Sequence, residues 1–169
     1  MISSKVTIND ANIKIEHEAC PDPNWCRNKG IFIESCCSDN NTLSTITFND
    51  YLTIYVFWES CLSGVSQELL YAPETGVLFL GCGSISTRVS TRESKLIDID
   101  NVHLFWGLSR HKEYVLETGE LECFLYSLSG EKISSTEVDP PYEIEVTEEG
   151  IKFDSIVLGS TWLRYKSNG

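Results

Sequence analysis

No stretch of the sequence is apolar for longer than Ile54–Trp58 (IYVFW). A membrane helix needs ~20 such residues, so none is expected. Basic residues are scarce: 13 Lys and Arg stand against 25 Asp and Glu, a net charge of −12. Such a chain is repelled by phosphate backbones and anionic lipids, which disfavours nucleic acid and membrane surfaces and favours a basic protein partner. The opening MISSKVTINDANIKI has neither an apolar h-region nor a small-residue cleavage site, so no signal peptide is read and a cytoplasmic location is expected. Low-complexity tracts and linkers are missing too, and one domain spanning 1–169 is expected. With 41% hydrophobic and 22% charged residues, the composition is that of a globular protein.

Close pairs of metal-ligand residues are also lacking. HEACPDPNWCRNKGIFIESCC collects His17, Cys20, Cys26, Cys36 and Cys37, but no C-x2-C is among them. Structural zinc sites use such pairs so that one tight turn presents two sulfurs. His17, Cys20 and Cys26 could still converge on a metal, and a Cys20–Cys26 disulfide could close the PDPNW turn. The seven cysteines are an odd number, and a reducing compartment favours free thiols used as small core side chains, which is the expectation here. No metal and no cofactor are expected.

What the sequence has is β pattern almost throughout. KVTIND and ANIKIEHEA alternate around Asn9-Asp10 and read as a hairpin; STITFND and YLTIYVFWES flank a second turn at Asn49-Asp50. GVLFLGCGSISTRVS reads as a buried strand in which Gly81 and Gly83 mark a bulge or a close backbone approach. KLIDID, NVHLFWG, KEYVLETG, ELECFLYS, EKISSTEV, YEIEVTEEG, IKFDSIVLG and STWLRYK follow with turn signals between them. Strands at ~8–12-residue spacing predict an all-β, mainly antiparallel fold: a sandwich or partly open barrel of about 10–13 short strands, with at most one short helix near 65–72. CFLYSLSGEKISS resembles one hairpin of a propeller blade. It occurs once, which sets aside a full propeller of ~4–8 blades.

Catalytic constellations are absent. GCGS (81–84) lacks the spacing and the following helix of a nucleophile elbow, so a Cys82/His103 pair is disfavoured and His103 is expected in a core strand. His111, between Arg110 and Lys112, is expected in solvent. Glu120 and Glu122 are expected on one strand face, where paired acids could serve a glycosidase but more often form a wet surface. Asp98-Ile99-Asp100-Asn101 lacks the remaining ligands of a calcium loop. Among the tryptophans, Trp58 and Trp106 are expected in the core, while Trp25 and Trp162 could belong to a sugar-stacking platform.

The strongest asymmetry lies between Ile133 and Ile151, which hold no Lys or Arg but contain Glu137, Asp139, Glu143, Glu145, Glu148 and Glu149. In YEIEV the alternation predicts Tyr142, Ile144 and Val146 facing the core and Glu143 and Glu145 facing outward, after a stiff Pro140-Pro141 entry. These six acids are the expected partner-binding surface.

ELECFLYSLSGEKISSTEVDPPYEIEV followed by GIKFDSIVLG resembles an uncharacterised group of bacterial β-rich proteins that carry a Gly-Lys turn and a V-x-P-P-aromatic element near the C-terminus. The resemblance spans Val102 to Tyr165 and departs at Ser134, where the group has a tryptophan; it implies no catalytic residues. In profile the chain is similar to an immunity protein of a toxin–immunity system. That similarity implies a non-enzymatic, acidic protein that binds and neutralises a basic toxin, a nuclease being one form. The alternatives are a carbohydrate- or other ligand-binding β domain and a carboxylate-dependent hydrolase.

Overall fold

A computed structural model describes the backbone of residues 4–7 and all atoms of 11–19, 21–60 and 67–165. It is all-β and mainly antiparallel. Among the described residues there are sixteen strands, no α-helix, and one 3-10 turn at Pro23–Trp25 that Asp22 caps by accepting from Asn24 N at 3.0 Å.

The strands form four sheets in chain order. Sheet I is β2 (Ile13–Ala19), β4 (Thr42–Phe48), β5 (Leu52–Trp58) and β3 (Ile31–Glu34). Sheet II is β1 (Ser4–Thr7), β6 (Gln67–Ala72), β7 (Val77–Cys82), β8 (Ile85–Ser90) and β9 (Lys95–Asn101). Sheet III is β10 (Phe105–His111), β11 (Tyr114–Gly119), β12 (Glu122–Ser127) and β13 (Lys132–Glu137). Sheet IV has only β14 (Tyr142–Val146), β15 (Gly150–Ser155) and β16 (Gly159–Arg164). The parallel pairs are β1–β6 and β3–β5.

Strand alternation stacks the sheets. In β6, Leu69 joins a core shared with sheet I (Ile46, Ile54, Val56, Trp58), while its neighbour Leu70 joins one shared with sheet III. Leu78 and Leu80 of β7 face the first core, and Val77 and Phe79 the second. Sheet III repeats the division: Val115, Phe124 and Tyr126 pack toward sheet II, and Leu116, Cys123 and Leu125 pack toward Ile151, Phe153 and Leu163 of sheet IV. Sheets II and III are therefore buried on both faces, which is why β7 and β12 read as continuous apolar runs. At ~1.5–3 kcal/mol for each fully buried large apolar side chain, three successive inter-sheet cores hold the stack together.

Sheets III and IV are plain antiparallel meanders, whereas sheet I, in the order β2-β4-β5-β3, and sheet II, with β1 on its edge, each include a parallel pair.

Several local expectations change. KVTIND and ANIKIEHEA do not form a hairpin: β1 adds in parallel to β6, and β2 pairs with β4 in another sheet. Their proposed turn at Asn9-Asp10 lies outside the described residues. The candidate helix near 65–72 is strand β6 from Gln67 onward, because both of its faces are needed in cores. The Asn49-Asp50 turn stands, with positive φ at both residues (46° and 59°). Gly81 marks a close approach: a Cβ there would lie 2.0 Å from the Phe105 ring.

Candidate protein-binding surface

The six acidic residues singled out in the sequence are distributed over one end of the molecule in three groups. Glu137 ends β13, and Asp139 follows it. Both line a cleft of about 660 Å³ that also takes Glu122, His103 and Leu158. Glu122 stands directly opposite Glu137 across the β12–β13 ladder. Like charges so placed repel each other.

Glu143 and Glu145 lie on β14, exposed as expected. Glu148 and Glu149 occupy the β14–β15 turn, which is closed by Thr147 N donating to Gly150 O at 2.9 Å. The bases of sheet IV are already engaged. Lys152 pairs with Asp154 at 2.6 Å, and Arg164 pairs with Glu149 at 2.5 Å while covering the Trp162 ring at 4.2 Å. The hydrogen bond from Lys152, with a second from Ser160, holds the Asp154 carboxyl below its usual range. Glu137, Glu143, Glu145 and Glu148 form no ion pair among the described residues.

The apolar side of β14 departs from expectation. Tyr142 is half-buried and its hydroxyl donates to Gly119 O at 2.7 Å, but Ile144 is 44% and Val146 48% exposed. Sheet III covers only the start of the strand, so alternation assigns the face correctly and misjudges its burial. Trp106, expected in the core, is 41% exposed and stacks on Tyr142. Trp58 is buried and donates through Nε1 to Ser44 Oγ at 2.8 Å. Trp25 is exposed with Lys29 4.8 Å over its ring. The partly exposed tryptophans at 25, 106 and 162 thus each have a ring face occupied by a neighbour, and no shared platform forms from them.

The other candidates scatter. His17 bonds Ser44 Oγ through Nδ1 at 2.8 Å, and burial lowers its pKa. Cys26 is fully buried and donates its thiol to Pro23 O at 3.1 Å. Cys20 lies outside the described residues. Cys36 is exposed in the loop after β3 rather than in a core. No group of three His, Cys, Asp or Glu able to hold a metal occurs among the described residues. His103 is exposed in the loop before β10, not in a core strand, whereas Cys82 is fully buried and burial pushes its thiol pKa up. His111 is half-buried against Ser109 at 2.9 Å. Glu120 sits in the β11–β12 turn and Glu122 in β12, so the pair does not share a strand face.

Sequence reasoning passed over the polar cluster between sheets II and III. Arg88, 1% exposed, donates to Asp100 at 2.7 Å and to Asp98 at 2.9 Å, and its guanidinium lies 4.6 Å over the Tyr126 ring. Lys132 reaches Asp100 at 2.9 Å. Burial disfavours the Asp100 charge, but the bonds from Lys132 and Arg88 outweigh it and hold the carboxyl below its usual range. The aspartates of the DIDN segment are thus the counter-ions of a buried arginine. Beside them Glu117 is fully enclosed and accepts from Ser86 Oγ; burial pushes its carboxyl up to about 7. The alternation in KEYVLETG gave no hint that an acid pointed inward.

No family model and no curated protein matches this chain. Among solved structures it is similar to Hsv2 of Kluyveromyces lactis, at 8% identity over 75% of this chain and 41% of that one, with a TM-score of 0.43. Hsv2 of Kluyveromyces marxianus gives 9% identity, the same coverage of 75% and 41%, and the same TM-score of 0.43. The chain therefore spans less than half of either, and a likeness this distant assigns neither a family nor an activity.

Proposed function

We propose that the protein is a non-enzymatic binding protein for a basic protein partner, in the form of an immunity protein that neutralises a cognate toxin. The observation that carries this reading is the set of carboxylates at Glu137, Glu143, Glu145 and Glu148, fixed on strands and a tight turn and forming no ion pair among the described residues; Lys152, opposite Glu145, is bonded to Asp154 instead. Fixed charges of one sign steer an oppositely charged protein and add specificity at contact. If the toxin is a nuclease, carboxylates held in this way can occupy its phosphate-binding cleft. Neither pair that the sequence raised for a hydrolase comes together, Cys82 being buried away from the exposed His103 and Glu120 lying in a turn outside the strand of Glu122, and the partly exposed tryptophans each have a ring face covered by a neighbour.

The test is a pull-down of the product of the adjacent gene with the purified protein. Stable, salt-sensitive capture of a basic toxin is expected. A neighbour that is neither basic nor toxic, or one that does not bind, overturns the reading.

A further inference from the structure

Among the described residues, sheet IV ends at β14, which pairs with β15 alone, and it has three strands where the other sheets have four or five. An unpaired strand edge presents a row of N–H and C=O groups that another extended chain can satisfy. Edges are commonly blunted by a proline, a bulge, shortness or charged side chains; β14 is short and carries two glutamates, which repel an acidic strand and leave the edge to a basic one. β14 is Tyr-Glu-Ile-Glu-Val, and its register with β15 runs from Tyr142↔Ser155 to Val146↔Ile151 without interruption. The Pro140-Pro141 pair lies before the strand and leaves its edge open.

The two faces of this edge differ chemically. One carries Glu143 and Glu145; the strand behind adds Asp154 opposite Glu143, and Lys152 opposite Glu145 is held by Asp154. The other carries Tyr142, Ile144 and Val146 and continues into Trp106, all at least partly exposed. Against it opens a groove of about 370 Å³, lined by Trp106, Leu108, Leu116 and Ile144 and, on its polar side, by Glu68 and His111. A strand laid along β14 would place alternate side chains over carboxylates and over apolar surface. A second copy of this chain, at net charge −12, is repelled by the same glutamates.

We propose that β14 is a docking edge that accepts an extended segment of a basic partner, its residues alternating between basic and apolar, as an added fourth strand of sheet IV. This rests on the basic-partner reading above and names its mode. Backbone hydrogen bonds supply the register. Glu143 and Glu145 select Lys or Arg on one face, and Trp106, Ile144 and Val146 select aliphatic side chains on the other.

The probes are blocked peptides of about eight residues, a length that covers β14. One alternates lysine and valine, one has the same composition in two blocks, and one is the alternating peptide N-methylated at every second amide. Binding to the full chain is read by calorimetry, and protection of the β14 amides by hydrogen exchange. The alternating peptide is expected to bind at least about tenfold more tightly than the block peptide, to protect the alternate amides of Tyr142–Val146 that face away from β15, and to lose binding on N-methylation of its β14-facing amides. Ile144→Lys, a substitution at an exposed position, is expected to weaken it by about tenfold with the thermal midpoint unchanged. Equal binding of all three peptides overturns the strand mode while leaving the acidic surface as a basic-protein site. Failure of the alternating peptide to bind at low salt overturns the docking edge, and the pull-down then decides the broader reading separately.

Discussion

Trp106 of sheet III lies flat against Tyr142 of sheet IV, with ring centroids 5.3 Å apart and planes inclined by 16°. The same tyrosine sends its hydroxyl back to Gly119 O at 2.7 Å and accepts from the Cys123 thiol at 3.7 Å. One side chain thus fixes the acidic strand β14 to the sheet before it. Tyr142→Phe keeps the stack and removes the donor, leaving Gly119 O without that bond. A loss of about 1–2 kcal/mol is expected in urea unfolding, with Trp106 fluorescence little changed in the folded state.

Glu117 makes stability depend on pH. Its carboxyl is raised from 4.5 to about 7 in the folded protein, so the folded state holds a proton that the unfolded state releases. Its contribution is fully present below about 4.5 and is lost as pH rises toward and through about 7. The difference amounts to about 3 kcal/mol at most. Glu117→Gln keeps a neutral acceptor for Ser86 and removes the titration. Thermal melts at pH 5 and pH 8 are expected to fall between the two pH values for the native chain and to differ less for the variant.

The two aspartates facing Arg88 are unequal. Asp98 is 61% exposed in its side chain, and Asp98→Asn should change stability by less than about 0.5 kcal/mol. Arg88→Met leaves Asp100 with Lys132 and the Tyr126 hydroxyl alone, and a cost of about 3 kcal/mol is expected from denaturant midpoints. Arg88→Lys should recover only part of this, because an ammonium cannot span both aspartates while lying over Tyr126.

Tryptophan emission titrated with a panel of glycans tests the sugar-binding alternative. The occupied ring faces of Trp25, Trp106 and Trp162 lead us to expect a flat response. A saturable shift with one glycan would restore that alternative.

The β character was legible because alternation and turn residues agree over most of the chain: the hairpin at Asn49-Asp50 stands, and the strands from Lys95 to Arg164 follow the pattern except that NVHLFWG gives way to a loop at 102–104 and β10 starts only at Phe105. The partner of β1 was not legible, because a parallel pairing to a strand sixty residues away leaves no local signature. The four-layer stack was hidden for a related reason. Burial on both faces turns strands such as β7 into plain apolar runs, which say that a strand is central without saying what lies on either side. At the candidate surface, the outward direction of Glu143 and Glu145 followed from period two, whereas the exposure of Ile144 and Val146 did not. Alternation assigns a face, and only the reach of the sheet packed against it decides whether that face is covered.

The central claim, that the acidic end receives a basic protein, is tested most directly by the salt dependence of one dissociation constant. The adjacent gene's product is titrated calorimetrically, at low and at high salt, into the native chain and into a variant carrying Glu137→Lys, Glu143→Lys, Glu145→Lys and Glu148→Lys. These positions are exposed, so the variant should fold. The account predicts that the native chain binds at least about a hundredfold more tightly at low salt than the variant and that the gap narrows as salt screens the charges. Equal affinities for the two chains, with the same response to salt, would contradict it.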